Sequence, residues 1–277
     1  MTRHRAGQLE GSKGLTLYWQ AWLPEETPKA VVILAHGLAE HSGRYGHVAE
    51  HLVSHGYAVY ALDHRGHGRS QGRRAQVGRM DYVVDDLHKF AAQVRSDRPG
   101  KALFLLGHSM GGGIALAYAL RYQDGLRGLV LSAPAILFEG VPPLQARAVG
   151  FLSALAPSFP LLALDGTAVS RDSEVVRAYD SDPLNYRGKI PVRTVAEMMR
   201  GAERLPDQLG SLRLPVLLLH GTEDRLVPAN ASRLVHDRAS SLDKTLRLYD
   251  GLYHEVFNEP ERDQVLADLS HWLDWHA

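Results

Sequence analysis

The feature that most narrows what this chain can fold into is a series of short, uninterrupted apolar runs. They are AVVILAHG (30–37), YAVYALD (57–63), ALFLLGHS (102–109), LRGLVLSAP (126–134) and LPVLLLHGTED (214–224). Four to eight apolar residues without alternation indicate a strand buried on both faces, as in a parallel sheet covered by helices. LTLYWQAWLP (15–24) opens the series with aromatic and β-branched residues, and the more alternating TLRLYDG (245–251) closes it. Helical periodicity lies between the runs. Over 82–94, Val83, Leu87, Phe90, Ala91 and Val94 share one stripe, with Asp85, Asp86 and Lys89 outside it. Further helices are expected over 110–122, 229–239 and 261–275. This alternation predicts an α/β fold: a mainly parallel central sheet flanked by helices, with the early strands as antiparallel edges.

The alternation stops between residues 135 and 212, where prolines, an apolar run and polar turns such as AYDSDPLNYRGK replace it. The expected organisation is therefore a core in two parts, 1–134 and 213–277, with 135–212 inserted as a cap. The apolar run AVGFLSALAPSFPLLAL (148–164) carries no charge. It is shorter than the ~20 residues of a spanning helix and is broken by Pro157 and Pro160. The polar opening MTRHRAGQLEGSKG contains no apolar targeting segment. The expected location is cytoplasmic, with at most peripheral membrane contact through the cap.

Composition removes several function classes. The chain has 277 residues and no cysteine, which excludes a disulfide scaffold, a thiolate zinc site and a cysteine nucleophile. Lys+Arg and Asp+Glu are both 31, so no global field draws the chain to nucleic acid or an anionic membrane. Any lipid contact must come from apolar surface, and 148–164 is the segment that offers it.

Chemistry concentrates at Gly107-His108-Ser109-Met110-Gly111, which follows a buried strand and opens a helix. This is the G-x-S-x-G nucleophile elbow in its required context. The turn is tight enough that side chains at Gly107 and Gly111 would collide with neighbouring elements. It holds the Ser109 hydroxyl out at a helix N-terminus, where free N–H groups favour developing negative charge.

A serine hydroxyl is a weak nucleophile and needs a base. In the chain order of such enzymes the acid comes next and the histidine last. His254 lies in DGLYHEVFNEP after the last run, and Asp224 lies in HGTEDRLVP after the run before it. Glu223 and Asp250 compete with Asp224 for the acid role. An oxyanion hole needs two aligned N–H donors, here assigned to Met110 and to Leu38 in the His36-Gly37-Leu38 turn. His47, His51 and His55 lie four apart, but no H-E-x-x-H pattern accompanies them, so they read as an exposed helix face rather than a metal site. His64 and His67 read as structural residues of a Gly-rich loop. No cofactor or metal is expected.

These residues resemble the monoacylglycerol lipases of the α/β-hydrolase superfamily, particularly their bacterial members. The likeness spans nearly the whole chain and rests on HGLAEHSGRY (36–45), ALDHRGHGRSQG (61–72), GHSMGG (107–112), SDPL (181–184), HGTEDRLVP (220–228) and YHEVFNEP (253–260). The resemblance implies an α/β-hydrolase fold with an inserted, mostly helical cap, and cofactor-free hydrolysis of a monoacylglycerol to glycerol and fatty acid. It matches Ser109, Asp224 and His254 to the triad, and Leu38 and Met110 to the oxyanion positions. Glu40 and Arg44 match polar positions behind the oxyanion loop, and Tyr179 matches a cap tyrosine that lines the glycerol end of the pocket; all three are candidate partners for the glycerol hydroxyls. The chain departs from the family in carrying Ala39 where Gly is frequent, and in lacking the pocket cysteines of mammalian members. Lysophospholipase, carboxylesterase and proline iminopeptidase-like activities are the neighbouring alternatives. A non-catalytic binding protein is the alternative outside enzymes. The chain is expected as a monomer or homodimer.

Physics favours a lipid substrate independently. At ~0.8 kcal/mol per buried CH₂, a long acyl chain offers roughly 10 kcal/mol gross if an apolar wall covers it. Phe151, Leu152, Leu155, Phe159, Leu161 and Leu162 are the expected wall.

Overall fold

The structure is a computed structural model that describes residues 2–138 and 141–277; Met1, Glu139 and Gly140, the last two within the expected cap, lie outside the described residues. The strands are β1 (Arg3–Glu10), β2 (Thr16–Leu23), β3 (Ala30–Ala35), β4 (Tyr57–Leu62), β5 (Ala102–His108), β6 (Gly128–Ser132), β7 (Pro160–Leu162), β8 (Ile190–Pro191), β9 (Val216–Gly221) and β10 (Lys244–Tyr249). The helices are α1 (Gly46–Ser54), α2 (Met80–Asp97), α3 (Met110–Tyr122), α4 (Pro143–Leu155), α5 (Ser173–Ser181), α6 (Val192–Gln208), α7 (Asn230–Arg238) and α8 (Arg262–His276).

Among the described residues, eight strands form one sheet in the order β1-β2-β4-β3-β5-β6-β9-β10. β1 and β2 pair antiparallel, as do β2 and β4, and every pairing from β4 to β10 is parallel. Every residue of β3, β4, β6 and β9 is buried, which is why these segments read as continuous apolar runs. Successive side chains still alternate between faces. Val31 and Ile33 join a core with Val83, Leu87, Phe90, Ile114 and Leu116 under α2 and α3. Val32 and Leu34 join the opposite core with Leu52, Val265, Leu269 and Trp272 under α1 and α8. Each fully buried Val, Leu or Ile side chain contributes about 1.5–3 kcal/mol of transfer free energy.

Between β6 and β9 the chain forms α4, β7, α5, β8 and α6. β7 and β8 pair antiparallel apart from the main sheet. Leu205, Leu209 and Leu212, at the end of this stretch, pack into the core under α2 and α3.

Three features differ from the sequence expectation. Residues 3–10 form an edge strand, although RHRAGQLE carries no apolar face; the strand is held by its backbone ladder to β2. Asp86 is not on the outer face of α2 but fully buried. It accepts Arg65 Nε at 2.7 Å and Nη2 at 2.9 Å, which supplies the partner that a buried carboxylate requires. His47 and His51 do not line an exposed helix face. Their Nε2 atoms meet the Phe257 carbonyl at 2.8 Å and Ser270 Oγ at 3.2 Å, because α1 packs against α8.

Candidate active site

β5 turns into α3 through Ser109 alone, and Ser109 takes φ 54° and ψ −120°. A positive φ at a non-glycine residue costs on the order of 1–3 kcal/mol and persists only where its surroundings enforce it. Three backbone bonds do so. The Ser109 N–H donates to the Ser132 carbonyl at 2.9 Å, and the Ser109 carbonyl accepts from Gly113 at 3.1 Å and Ala135 at 2.9 Å. The flanking glycines are sterically required: a Cβ on Gly107 would lie 2.4 Å from the Gly111 carbonyl oxygen, and one on Gly111 would lie 2.1 Å from that of Ala35. Met110 is the first residue of α3, so its N–H has no acceptor within the helix.

His254 and Asp224 come from the loops after β10 and β9. The His254 loop lies so close over the end of β9 that a Cβ on Gly221 would sit 2.2 Å from the Leu252 carbonyl oxygen. His254 Nδ1 is 2.7 Å from Asp224 Oδ2. The other oxygen, Oδ1, accepts the Leu226 N–H at 2.8 Å and the Val227 N–H at 2.9 Å. His220 Nε2 also approaches Oδ2, at 3.1 Å, and the Val227 carbonyl at 3.0 Å. With two oxygen acceptors around it, that nitrogen carries the proton, and Nδ1 accepts from the Ser232 hydroxyl at 2.7 Å. Asp224 is thus oriented from both sides. The competing Asp250 and Glu223 are exposed.

The electrostatics suit a base. Burial pushes the Asp224 carboxyl up, but His254, His220 and the backbone N–H groups outweigh it and hold it far below its usual range. Burial pulls the His254 imidazole down, but the Asp224 charge and hydrogen bond prevail and raise it. His108, whose ring lies 4.7 Å from that of His254, is forced down to about 3 by burial and by the neighbouring His254 charge. It is therefore a neutral neighbour, bonded through Nδ1 to Ser132 Oγ at 3.0 Å.

The turn after β3 is fixed by a buried polar network. Glu40 Oε1 accepts the Gly37 N–H at 2.5 Å and the Tyr45 hydroxyl at 2.7 Å, while Oε2 accepts Arg44 Nη1 at 2.7 Å. Arg44 also grips Glu255 bidentately, at 2.6 and 2.7 Å. The Tyr179 ring covers the guanidinium, with its centroid 4.8 Å away. Burial raises the Glu40 pKa against the pull of Arg44, whereas at Glu255 Arg44 overcomes burial and lowers it. Ala39, inside this turn, has φ 65°, which explains why glycine suits the position; its carbonyl accepts the Tyr186 N–H at 2.9 Å. Behind the turn, the buried rings of His36 and His64 lie 4.4 Å apart, and His64 is held down at about 3 by burial and by His67.

Ser109, His254, Leu38, Glu40 and Tyr179 all line one cavity of about 340 Å³. Arg44 does not. It stands behind the wall, with its donors engaged by two carboxylates, so it is not placed as a direct substrate contact. The rest of the wall is largely apolar, with Ala135, Phe138, Leu162, Leu164, Val169, Val195, Met198, Leu226 and Val227. Of the wall residues expected from 148–164, Leu162 is among those lining the cavity. Phe151 and Leu155 face outward, each 69% exposed, because α4 presents that stripe away from the core. α6 supplies Val195 and Met198 instead.

Sequence reasoning did not single out Glu255, His108 or His220. Glu255 adjoins His254, and His108 adjoins Ser109, so proximity to the motifs was the available signal.

A model of the family described as "Serine aminopeptidase, S33" matches residues 26–261. A monoacylglycerol lipase of Mycolicibacterium smegmatis is 44% identical over 267 residues, covering 96% of this chain and 95% of the relative. The human monoglyceride lipase is 35% identical over 269 residues, covering 96% of this chain and 89% of its own length. The crystal structure of Paleococcus ferrophilus monoacylglycerol lipase superposes with a TM-score of 0.86 at 32% identity, covering 94% of this chain and 99% of that one.

Proposed function

This chain belongs to the serine aminopeptidase S33 family and, within it, to the monoacylglycerol lipases; from that premise we propose that it cleaves the ester of a monoacylglycerol to glycerol and a fatty acid. The observation that carries the reading is a strained serine at a strand-to-helix turn, sharing an apolar cavity with a histidine bonded at 2.7 Å to a buried aspartate.

Ser109 attacks the ester carbonyl while His254 Nε2 accepts its proton. The Leu38 and Met110 N–H groups hold the oxyanion, and each such donor supplies roughly 3–4 kcal/mol in the transition state. His254 then protonates the leaving glycerol oxygen. Asp224 keeps the Nδ1–H tautomer and stabilises the imidazolium. In the second half, water loses its proton to His254, attacks the acyl-enzyme and frees the fatty acid and Ser109.

Tyr179 is the candidate partner for a glycerol hydroxyl. Burial and the nearby Glu40 push its phenol up to about 12, so it stays a neutral donor. Glu40 and Arg44 act by positioning the oxyanion turn. This pairing also argues against a peptidase. Arg44 already engages Glu40 and Glu255, and the further lining carboxylate, Asp165, is exposed and bonded to Thr167, which leaves no buried free carboxylate among the described lining residues to anchor a substrate ammonium.

Segment 135–212 serves as a cap with a lipid-facing stripe. Leu144, Phe151 and Leu155, spaced seven and four apart on α4, are 78%, 69% and 69% exposed. Such a patch suits transient contact with a lipid surface. No helix among the described residues is long and apolar enough to cross a membrane.

The test is a substrate panel with wild type and Ser109→Ala. Monoolein should be hydrolysed faster than diolein, a lysophospholipid, p-nitrophenyl butyrate or a prolyl amide, and Ser109→Ala should abolish turnover and fluorophosphonate labelling. Preference for diolein or the prolyl amide, or retained activity in Ser109→Ala, overturns the reading.

A further inference from the structure

A second cavity, of about 420 Å³, opens between the start of α2, the end of α3 and α6. Five arginines line it, at positions 79, 121, 193, 200 and 204, against two carboxylates, Asp81 and Glu197. In a chain whose net charge is zero, this is a local excess of positive charge. Glu197 is only 8% exposed and organises one side. It accepts the Met80 N–H at 3.0 Å, contacts Arg193 Nη1 at 3.5 Å and pairs with Arg200 Nη1. On the other side Asp81 accepts Arg121 Nη2 at 2.5 Å, while Arg79 stays 3.7 Å away. Each guanidinium has five donors. Arg121, Arg193 and Arg200 each commit one to these carboxylates, and the Arg204 guanidinium has no hydrogen-bond or ion-pair partner among the described residues. Planar guanidinium forks match carboxylate and phosphate oxygens.

The cavity is not wholly polar. Met80, Ala117 and Leu205 line it too. Met80, Gly201 and Leu205 also line a small void of about 10 Å³, whose further residues include Met110, Ala135 and Met198. Ala135 and Met198 in turn line the catalytic cavity. The arginine-lined cavity and the chamber holding Ser109 therefore lie on either side of a methionine-rich wall that encloses this small void. Methionine side chains rotate about three bonds and repack readily against an apolar chain.

We infer that this arginine-lined pocket is a second binding site for the carboxylate of a long-chain fatty acid, the product released at Ser109. The inference rests on the esterase reading. The product carboxylate arises in a chamber lined by Glu40, Glu255 and Asp165, so like charges disfavour its staying there. The arginine pocket lies across that wall and offers both an anion site and, in Met80, Ala117 and Leu205, an apolar surface for the adjoining methylenes.

The test blocks the catalytic chamber first. Enzyme labelled at Ser109 with a long-chain fluorophosphonate is titrated with monomeric oleate by calorimetry, with oleyl alcohol and inorganic phosphate as comparison ligands. One saturable oleate site is expected. Its Kd should rise by at least about tenfold in Arg204→Gln and further in Arg121→Gln/Arg204→Gln, the loss expected when charge-assisted bonds disappear. Oleyl alcohol should not bind. The inference is overturned if labelled enzyme binds no oleate, if both variants bind like wild type, or if phosphate binds as tightly as oleate, which would make this a simple anion site. If Ser109 does not label, the esterase reading fails separately. The same titration on Ser109→Ala then still shows whether an Arg204-dependent oleate site exists.

Discussion

Truncating Glu40 to alanine separates a residue that touches substrate from one that positions the oxyanion turn. The carboxylate satisfies the Gly37 N–H at 2.5 Å and the Tyr45 hydroxyl at 2.7 Å, both of them buried, and it shares Arg44 with Glu255. Each buried donor left without an acceptor costs about 1–3 kcal/mol, so the variant should lose roughly 2–6 kcal/mol of folding stability. Freed from Glu40, Gly37 no longer fixes the Leu38 N–H that follows it. Loss of one oxyanion donor costs about 10²–10³ in kcat, and that sets the ceiling for the rate effect. Urea unfolding gives the first number, and steady-state kinetics on monoolein and p-nitrophenyl butyrate give the second. The fall should appear in kcat for both esters with KM nearly unchanged, since a donor that acts on the oxyanion binds the transition state selectively. Glu40→Gln retains an acceptor for Gly37 and should recover much of the stability. A folded Glu40→Ala enzyme whose kcat stays within about threefold of wild type, or one that loses only KM and only for monoolein, refutes the positioning role.

Four further outcomes follow from the geometry. His254 is held above its ordinary pKa by Asp224, and its protonated form cannot take the Ser109 proton, so kcat/KM should fall as pH drops through that raised value. In Asp224→Asn burial is opposed only by the smaller pulls of Glu255 and Glu40, so the acid limb should move to lower pH while the plateau drops by about 10⁴; an unmoved limb would assign it to another group. Gly111→Ala forces a Cβ to 2.1 Å from the Ala35 carbonyl oxygen and should cost about 3 kcal/mol or more, whereas Gly150→Ala, with open space on α4, should gain up to ~1 kcal/mol; melting temperatures compare the two. Phe151→Ser/Leu155→Ser should weaken sedimentation with phosphatidylcholine vesicles while leaving p-nitrophenyl butyrate turnover intact, and unchanged sedimentation would remove α4 as the lipid contact.

What could be read from the sequence followed the physics of burial. Strands β3, β4, β5, β6 and β9 were legible because both their faces are covered, and the elbow was legible because two glycines are sterically obligatory there. β1 was not, since its side chains are largely exposed and its stability lies in backbone pairing to β2. Asp86 looked solvent-facing on helical periodicity, because its partner Arg65 lies in a distant loop. Arg44 and Glu40 stood out through resemblance, but their role depends on Glu255, 211 residues further along than Arg44, and no local pattern encodes that pairing. Likewise the uncharged run marks 148–164 as the apolar wall, while Val195 and Met198 supply part of it from α6, a helix that opens at Pro191-Val192 beyond that run.

Arg44 also sets the terms on which parts of this protein could be exchanged. One guanidinium joins the oxyanion turn through Glu40, the histidine loop through Glu255, and α5 through the ring of Tyr179. A chimera that grafts another protein's 135–212 onto this core therefore inherits a fixed requirement: an aromatic ring must arrive over Arg44. A graft without it would expose a cation already committed to two carboxylates, and its defect would surface at the oxyanion turn, well away from the grafted segment. Replacement of segment 135–212 is thus constrained, among its other contacts, at a residue that the segment itself does not contain.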